Sequence, residues 1–416
     1  MTYEITAPGH ISSTVSLPAS KSISNRALII HAIAGGDVLP DNLSDCDDTS
    51  VVIAALKNRP ATIDIKAAGT AMRFMTALIA STPGTDNVIT GTERMLHRPI
   101  GVLVDALRML GADIEYAGEE GFPPLRIRGR RLRGGRLEMP GNVSSQYISA
   151  LMLVAPTFEQ GLTLRLTGSI VSRPYIDLTR WTMLEFGVKA EWTDVDTVQV
   201  MPQAYKQHPY LIENDWSAAS YWYEIMALGG GIDDSVTLTG LFDGSRQGDA
   251  MTRYIFSLLG VRTSYTPSPS GGPGSVTLRT YPARPPRLDY DFTNCPDLAQ
   301  TMTVACAVRD VPFRFTGLSS LRIKETDRIS ALEKELRKLG YVLHDSNDCI
   351  LEWSGERCEP TFEPVDTYQD HRMAMSFAPA AFVFKQLRIN NPEVVSKSYP
   401  RYWDDLRSAG FIIKEV

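Results

Sequence analysis

The chain has 416 residues, of which 43% are hydrophobic and 22% charged, and its formal net charge is -6. The composition is that of an ordinary globular protein, and the length exceeds what one hydrophobic core usually serves, so we expect two or three domains. The acidic balance excludes the basic footprint of nucleic-acid-binding and membrane-surface proteins. Any anion-binding chemistry must therefore come from a local cluster of basic residues.

The sequence carries no sign of a membrane or export segment. No apolar run reaches the roughly 20 residues of a membrane span, and the first residues read as a strand rather than as a signal peptide. The five cysteines are scattered, and only Cys349 and Cys358 lie near each other, without CxxC or histidine spacing. We therefore expect reduced thiols in a cytoplasmic protein, with neither disulfides nor a zinc site.

The first helix signal in the chain follows Ser20. Lys21, Ser22 and Arg26 open an apolar helix that Ser20 or Ser22 could cap. Free N–H groups at a helix start, with a Lys and an Arg nearby, can bind an anion. The segment lacks the glycine spacing of a Walker A loop. Taken alone, a capped helix with solvated charges explains it equally well.

Two later helix starts repeat this arrangement. Gly69 precedes the apolar run 70–79 and would let a ligand approach the backbone closely. Ser144, Ser145 and Gln146 begin the next apolar run with two hydroxyls and an amide, which suit a phosphate. Each of these segments could be only a cap. Together, helix starts in different parts of the chain predict anion sites that converge.

The C-terminal half places charged residues where apolar helices begin. Lys324 and Arg328 are i, i+4 neighbours in the densest charge cluster, and an exposed helix start is the usual explanation for such a run. Arg372 stands at the front of an apolar helix, which is an odd place for a solvated charge. Asp297 stands at a buried helix start, where a carboxylate is either a cap or a catalytic base with a tuned pKa.

An internal repeat runs through the chain. In each copy a β-rich segment ends in Thr-Gly, a polar loop carries basic residues, and a helix with i, i+3, i+4 apolar spacing ends at a glycine. The clear copies begin at Thr90-Gly91, Thr167-Gly168, Thr239-Gly240 and Thr316-Gly317, and weaker ones lie near Asn391 and Asn42. Each copy is preceded by an apolar helix that we expect to be buried.

Six such units predict an α/β fold with two lobes of three units each. The first unit breaks the spacing, and the first strand fits the far lobe. We therefore expect lobe I to comprise residues 1–20 and 237–416, and lobe II to comprise residues 21–236. Two chain crossings between lobes would form a natural hinge.

Several blocks occur in a characteristic order along nearly the whole chain. They are Lys21-Ser22 with Arg26, Ala68-Gly69-Thr70-Ala71-Met72-Arg73, Arg98-Pro99-Ile100, Ser144-Ser145-Gln146, Arg173-Pro174-Tyr175, Pro296-Asp297, Lys324-Glu325-Thr326-Asp327-Arg328, Asp370-His371-Arg372-Met373-Ala374 and Lys397. This ordered set resembles the EPSP synthase (3-phosphoshikimate 1-carboxyvinyltransferase) family of enolpyruvyl transferases. The resemblance implies two lobes of three βαβαββ units that close over ligands at their interface.

The resemblance also implies the reaction and its binding residues. Phosphoenolpyruvate and shikimate 3-phosphate would give 5-enolpyruvylshikimate 3-phosphate and phosphate, a step of aromatic amino acid biosynthesis, without a metal or organic cofactor. The implied shikimate 3-phosphate site is Lys21, Ser22, Arg26, Ser144, Ser145, Gln146, Ser172, Tyr175, Asp297 and Lys324. The implied phosphoenolpyruvate site is Lys21, Gly69, Arg98, Gln146, Arg328, Arg372 and Lys397. We expect a monomer with no nucleic-acid or membrane partner.

The chemistry accounts for the residue types. Guanidinium groups match phosphate and carboxylate bidentately, which suits three arginines of the phosphoenolpyruvate site. Asp297 is the expected base toward the attacking hydroxyl, and Glu325 with Lys21 is the expected pair for proton transfer at C3 of phosphoenolpyruvate. The addition would give a tetrahedral ketal, and loss of phosphate would restore the vinyl group.

Three positions depart from the family pattern. Ala67 replaces the usual Asn, and Ser320 stands where many members have an Asn near the substrate phosphate. Phe74 follows Arg73 where Pro is frequent, which could alter the binding of phosphoenolpyruvate mimics such as glyphosate. None of the three removes a proposed acid, base or arginine.

Two alternative functions fit the sequence less well. The related enolpyruvyl transferase acting on UDP-N-acetylglucosamine commonly carries a Cys before the Arg-Pro motif, whereas the loop 91–97 here has none. A binding protein that kept the site without turnover is disfavoured, because Asp297, Glu325 and Lys21 all remain.

Overall fold

A computed structural model describes residues 1–35 and 39–416 of the chain. The chain divides into two compact units, each with its own apolar core. Unit 1 consists of Met1–Pro18 together with Glu213–Val416, and unit 2 consists of Ala19–Ile212.

The helices and strands follow the βα pattern that the sequence predicts. The helices are α1 (Lys21–Ala34), α2 (Asp47–Asn58), α3 (Gly69–Ala80), α4 (Glu93–Leu96), α5 (Gly101–Met109), α6 (Ser145–Val154), α7 (Arg173–Glu185), α8 (Trp216–Gly229), α9 (Thr252–Ser257), α10 (Ala299–Val308), α11 (Arg328–Lys338), α12 (His371–Phe377) and α13 (Tyr402–Ser408). The strands are β1 (Thr2–Thr6), β2 (Ser12–Ser16), β3 (Thr62–Asp64), β4 (Asp86–Thr90), β5 (Asp113–Tyr116), β6 (Leu125–Arg128), β7 (Gly135–Pro140), β8 (Leu162–Thr167), β9 (Ala190–Asp194), β10 (Thr197–Val200), β11 (Ser235–Leu241), β12 (Val261–Thr266), β13 (Gly274–Thr280), β14 (Leu288–Asp291), β15 (Phe313–Thr316), β16 (His344–Ser346), β17 (Ile350–Trp353), β18 (Leu387–Asn390) and β19 (Ile412–Glu415).

One sheet order recurs in the described part of the chain. A parallel pair of strands is extended by two antiparallel strands, in the orders β3-β4-β6-β5, β7-β8-β10-β9, β14-β15-β17-β16 and β2-β11-β13-β12. A buried helix joins the parallel pair in the first three sheets, namely α3, α6 and α10. A second helix then leads to the antiparallel strands. The βαβαββ unit of the predicted α/β fold is therefore present in both parts of the molecule.

Two further copies of the repeat are less regular. In unit 1, β1 lies between β18 and β19, and Val365 bridges β18 in parallel on its other side. In unit 2, α1 and α2 accompany a single parallel bridge between Asp41 and Leu211. The N-terminal strand β1 thus completes a repeat whose other elements come from the C-terminus.

The boundary between the units differs from the expected one. The sequence predicts the second crossing at residues 236 and 237, whereas the structure has it at Ile212 and Glu213. The reason lies in the repeat itself, because β2 pairs in parallel with β11, and α8 is the buried helix that precedes β11. Unit 2 is thus an insertion within one repeat of unit 1, and α8 must belong to unit 1.

The buried helices are apolar around most of their surface. Every residue of α3 and of α10 is buried, as is most of α6 and α8. The apolar helix that begins beside Arg372 is short: α12 ends at Phe377, and a 3₁₀ turn, Ala378–Phe382, continues it. Pro379 in that turn has no N–H to continue α-helical bonding. Within residues 1–35 and 39–416, no helix is long and apolar enough to cross a membrane.

Candidate functional site

The predicted site residues form two groups, one in each unit. The group in unit 2 collects around the first turns of α1, α3 and α6, three helices that pack against one another. The group in unit 1 collects around the first turns of α11 and α12 and the 3₁₀ turn Pro296–Leu298 that precedes α10.

Lys21 and Arg26 differ in what they can offer to a ligand. The Nζ of Lys21 lies 3.3 Å from Oδ2 of the buried Asp48. Arg26 is buried and donates to Thr179 and Ser149 side chains and to the carbonyls of Ser22 and Tyr175 at 2.8–3.2 Å. Burial lowers the pKa of Arg26 to about 10, which leaves it charged at neutral pH.

Four of the bonds of Arg26 are therefore made within unit 2, where they tie α1 to α6 and α7. The expected cap of α1 is not formed: Ser20 occupies the N-cap position, but its hydroxyl makes no capping bond and is buried without a hydrogen-bond partner. The hydroxyl of Ser20 is enclosed by the protein instead of reaching the free N–H groups.

The start of α6 presents a hydroxyl pair and an amide. Ser144 caps the helix by accepting from the backbone N–H of Gln146 at 3.4 Å. The side-chain amide of Gln146 donates to the hydroxyl of Thr70 at 3.1 Å, so the starts of α6 and α3 are joined. Ser145, like its two neighbours, is half-buried. These groups can accept or donate hydrogen bonds to an anion at the helix start.

Ser172 and Tyr175 lie at the start of α7, in the same unit. Ser172 is the N-cap residue and has φ of 56°, a left-handed conformation that is uncommon for a residue with a side chain. Such backbone strain is frequent at ligand sites because the surrounding structure must enforce it. The binding role of Ser172 stays a prediction, and the sequence pattern alone does not distinguish it from a turn residue.

Gly69 lies where a side chain would not fit. A Cβ atom at this position would come within 2.6 Å of Nη1 of Arg98 and 2.7 Å of Nη1 of Arg73. The same Nη1 of Arg73 donates to the carbonyl of Gly69 at 2.8 Å. Two guanidinium groups therefore pack directly on the glycine, which gives unit 2 a compact positive site at the start of α3.

In unit 1, Asp297 is surrounded by three cationic side chains. Its carboxylate lies 2.8 Å from Nη1 of Arg328, 3.1 Å from Nη2 of Arg372 and 3.6 Å from Nζ of Lys324. Burial alone would raise the pKa of Asp297, but Arg372, Lys324 and Arg328 together hold it well below its usual range. Asp297 is therefore ionised, and in this arrangement it is a weak base.

Arg328 joins the predicted catalytic carboxylates to a third one. Its Nη2 lies 2.9 Å from Glu325, and its Nε lies 2.7 Å from Asp370, which is fully buried. Burial alone would lower the pKa of Arg328, but Asp370, Glu325 and Asp297 hold it above its ordinary value. Glu325 also pairs with Lys397 at 3.1 Å. The predicted residues of unit 1 are thus brought together in one network.

Several residues of the site were not predicted. The sequence analysis names Asp370 only within the block 370–374 and assigns it no role. In the structure, Asp370 accepts from the backbone N–H of Arg372 at 2.9 Å and also pairs with Arg328. Tyr221 and Ser217 on α8 accept from Arg372 at 3.3 and 3.4 Å. Ser217 in turn donates to the buried Asp249. An Asp directly before an apolar helix signals a cap, but no local signal links α8 to Arg372.

The three departures from the family pattern lie in different surroundings. Ala67 is exposed, and Phe74 is buried in α3 with its ring centre 5.5 Å from the guanidinium carbon of Arg26. The hydroxyl of Ser320 is buried without a hydrogen-bond partner. Phe74 thus has a packing role in unit 2, beneath a predicted site residue. Among the described residues, no three His, Cys, Asp or Glu side chains gather as a metal site.

The fold and the two groups of helix starts define an α/β protein of two units. Cationic side chains cluster at these helix starts and pair with anionic side chains. The model of the family EPSP synthase (3-phosphoshikimate 1-carboxyvinyltransferase) matches residues 5–59 and 56–406. The chain belongs to this family.

Individual relatives agree with that membership, and a solved structure shares the fold. A 3-phosphoshikimate 1-carboxyvinyltransferase of Bacteroides fragilis is 59% identical over 415 residues, covering 100% of this chain and 99% of that protein. One of Shewanella halifaxensis is 34% identical over 426 residues, covering 96% and 97%. The solved EPSP synthase of Acinetobacter baumannii aligns with a TM-score of 0.78 over 100% of both chains at 20% identity, which supports the fold.

Proposed function

We propose that this chain transfers the enolpyruvyl group of phosphoenolpyruvate to the 5-hydroxyl of shikimate 3-phosphate and releases phosphate. The observation that carries this proposal is the 59% identity over the whole chain with a protein named 3-phosphoshikimate 1-carboxyvinyltransferase. The reaction is a step of the shikimate pathway toward aromatic amino acids. The cationic groups of the two units suit two substrates that each carry a phosphate and a carboxylate.

The proposal draws the binding residues of each substrate from both units. Shikimate 3-phosphate is bound mainly by unit 2, through the starts of α1, α6 and α7, with Asp297 and Lys324 from unit 1. Phosphoenolpyruvate is bound by Lys21, Gly69, Arg98 and Gln146 of unit 2 and by Arg328, Arg372 and Lys397 of unit 1. The support for this division is that each half is already assembled within its own unit.

The two substrates would bring about six negative charges into one site. Asp297 and Glu325 form ion pairs with Arg328, Arg372 and Lys397. Arriving phosphate and carboxylate groups would compete with these carboxylates for the same cations. Because its cationic partners lower the pKa of Asp297, sharing them with a substrate would raise that pKa and make Asp297 a stronger base.

The proposed chemistry is addition followed by elimination. Asp297 takes the proton of the attacking hydroxyl, and Glu325 with Lys21 delivers a proton to C3 of phosphoenolpyruvate, so a tetrahedral ketal forms at C2. Loss of phosphate from C2 and removal of a proton from C3 then restore the vinyl group. General acid–base catalysis of this kind contributes about 10²–10⁴-fold per group.

The coupled assay for phosphate release tests the proposal. We expect release from phosphoenolpyruvate with shikimate 3-phosphate and none with UDP-N-acetylglucosamine. The loop 91–97, with α4 inside it, contains no Cys, which disfavours the second acceptor. Release with the nucleotide sugar alone would overturn the choice of acceptor, and binding of both ligands without release would identify a binding protein.

The proposal also includes the oligomeric state and the location of the protein. We propose a monomer, since each unit closes its own core, and a cytoplasmic location, since all five cysteines are free thiols. Sedimentation of the purified chain at micromolar concentration tests the first.

A further inference from the structure

A buried tyrosine joins the two parts of the unit 2 site that belong to different substrates. Tyr147 directly follows Gln146 in the first turn of α6 and is 6% exposed. Its hydroxyl donates to the backbone carbonyl of Pro99 at 2.5 Å. Pro99 directly follows Arg98, so one hydrogen bond connects the start of α6 with the arginine loop of the phosphoenolpyruvate site. The start of α6 holds Ser144 and Ser145 of the shikimate 3-phosphate site and Gln146, which is assigned to both sites.

The bond to Pro99 constrains Arg98 through the backbone. Proline has a fixed φ, and the residue before a proline is restricted to extended conformations. Holding the carbonyl of Pro99 therefore also holds the backbone of Arg98. The N–H of Arg98 is bound on the other side, to the carbonyl of Met95 at 3.0 Å. The direction in which the Arg98 side chain leaves the loop is thus set at both ends.

Arg73 supports the same carbonyl. Its Nη2 donates to the carbonyl of Pro99 at 3.4 Å, a weaker contact than that of the tyrosine hydroxyl. The guanidinium carbon of Arg73 lies 5.5 Å from the ring centre of Tyr147, within the range of a cation–π interaction. Without the hydroxyl of Tyr147, the carbonyl of Pro99 would keep only the long contact to Arg73.

We propose that Tyr147 is a positioning residue that fixes the Arg98 loop against the start of α6 and so couples the two anion subsites of unit 2. The inference rests on the proposed function for the identity of the two ligands. Tyr147 is not assigned a contact with substrate. Tyr147 affects phosphoenolpyruvate binding through the position of Arg98. When shikimate 3-phosphate orders the start of α6, the same hydrogen bond favours the binding position of Arg98.

Tyr205 supplies a matched control, because its hydroxyl bonds to the same helix from a segment outside it. Its hydroxyl is buried and donates to the carbonyl of Leu153 at 2.9 Å, at the other end of α6. Tyr205→Phe and Tyr147→Phe each remove one buried hydroxyl and keep the ring. A purely structural role would make the two variants alike, with similar losses in thermal midpoint and unchanged KM values.

The test measures phosphate release by both variants and the wild type while the two substrates are varied against each other. We expect Tyr147→Phe to raise the KM for phosphoenolpyruvate roughly three- to tenfold, the factor associated with one neutral hydrogen bond. The KM for shikimate 3-phosphate should change less than about twofold. The apparent KM for each substrate should also depend less on the concentration of the other substrate than it does in the wild type. Tyr205→Phe should keep the wild-type values.

The outcomes separate the inference from the function on which it rests. A Tyr147→Phe enzyme whose KM for phosphoenolpyruvate matches that of Tyr205→Phe overturns the coupling role, while the proposed function stands. Equal rises in both KM values would also overturn it, because they indicate general disturbance of α6. A wild-type protein that releases no phosphate from the two substrates would sink the proposed function and this inference with it.

Discussion

At Arg328, one guanidinium serves three carboxylates. Asp297, Glu325 and Asp370 each accept from it, and Arg328 is 1% exposed. A charge buried without such partners would cost several kcal/mol, so these pairs also keep the site folded. Because the pKa of Asp297 is lowered, its stabilising effect is present above the unfolded value of about 3.9 and is lost only as the pH falls below it toward the folded pKa.

Replacement of Asp297 tests its role as the base. Asp297→Asn keeps the shape of the side chain but cannot accept the proton, so we expect kcat to fall about 10²- to 10⁴-fold. The protein should remain folded and should still bind shikimate 3-phosphate. The exposed Asp291, which accepts only within its own turn, gives the control Asp291→Asn. A near-normal kcat for Asp297→Asn in the phosphate-release assay would rule out the assignment.

Glu224 on α8 is a buried acid of another kind. Among the described residues, neither of its oxygens has a hydrogen-bond partner, and burial raises its pKa well above the ordinary value, which favours the neutral form in the folded chain. The unfolded carboxyl ionises above about pH 4.3. Between that pH and the raised folded pKa, the free energy of unfolding should fall by about 1.4 kcal/mol per pH unit.

Glu224→Gln should remove this dependence on pH. We expect its thermal midpoint, relative to wild type, to rise progressively between pH 5 and pH 8, because only the wild-type protein loses stability as its unfolded state ionises. The exposed Glu359 provides the control Glu359→Gln. Parallel midpoints for Glu224→Gln and wild type over that range would contradict a raised pKa.

Among the elements, the first turns of the helices determine the site. Asp370 caps α12 at Arg372 and pairs with Arg328 at the start of α11, so a single carboxylate aligns two helix starts. Asp327 caps α11 by accepting from the N–H of Ser330, and its other partner is Arg322. The two caps differ in burial, and of the two only Asp370 contacts a guanidinium of the proposed phosphoenolpyruvate site.

That difference predicts different kinetics for two matched variants. Asp370→Asn should keep a capping oxygen but lose the charge facing Arg328, so we expect a KM for phosphoenolpyruvate raised about tenfold or more and a stability loss of roughly 2 kcal/mol. Asp327→Asn should change stability by less than about 1 kcal/mol and leave that KM unchanged. Equal KM values for the two variants would show that the charge of Asp370 does not align Arg328.

Across the whole molecule, the two units differ in how the chain builds them. Unit 2 is continuous, whereas unit 1 takes β1 and β2 from the N-terminus and everything else from residues after 212. β1 is the middle strand of its sheet, and Ile5, Ile11 and Val15 of the N-terminal segment are buried in the core of unit 1. Unit 1 is therefore incomplete without residues 1–18.

Fragments of the chain test this difference. Residues 19–212 alone should fold, with native-like circular dichroism and resistance to protease, because their core is self-contained. Residues 213–416 alone should be digested rapidly, since deletion removes a central strand and leaves apolar surface open. Adding the peptide of residues 1–18 should restore part of the resistance. Equal resistance of the two fragments without the peptide would contradict the prediction.

The repeat, the α/β class, the helix starts and the family resemblance can all be predicted from the sequence. These depend on local order: apolar spacing predicts a helix, and a glycine or a serine at its end marks the boundary. Blocks such as Gly69–Arg73 and Lys324–Arg328 carry their chemistry within a few residues. For the same reason, the helix starts predicted near Lys21, Gly69, Ser144 and Asp297 agree with those of α1, α3, α6 and α10 to within a few residues.

The pairing of distant charges and the boundary between the units depend on tertiary packing, and the sequence does not predict them. Asp370 and Arg328 are 42 positions apart, and Tyr147 and Pro99 are 48 positions apart, so no local pattern signals either pair. The boundary at Ile212 follows from the parallel pairing of β2 with β11 across the whole of unit 2. Pairing over such separations depends on the packing of the entire chain, and apolar spacing along one segment does not specify it.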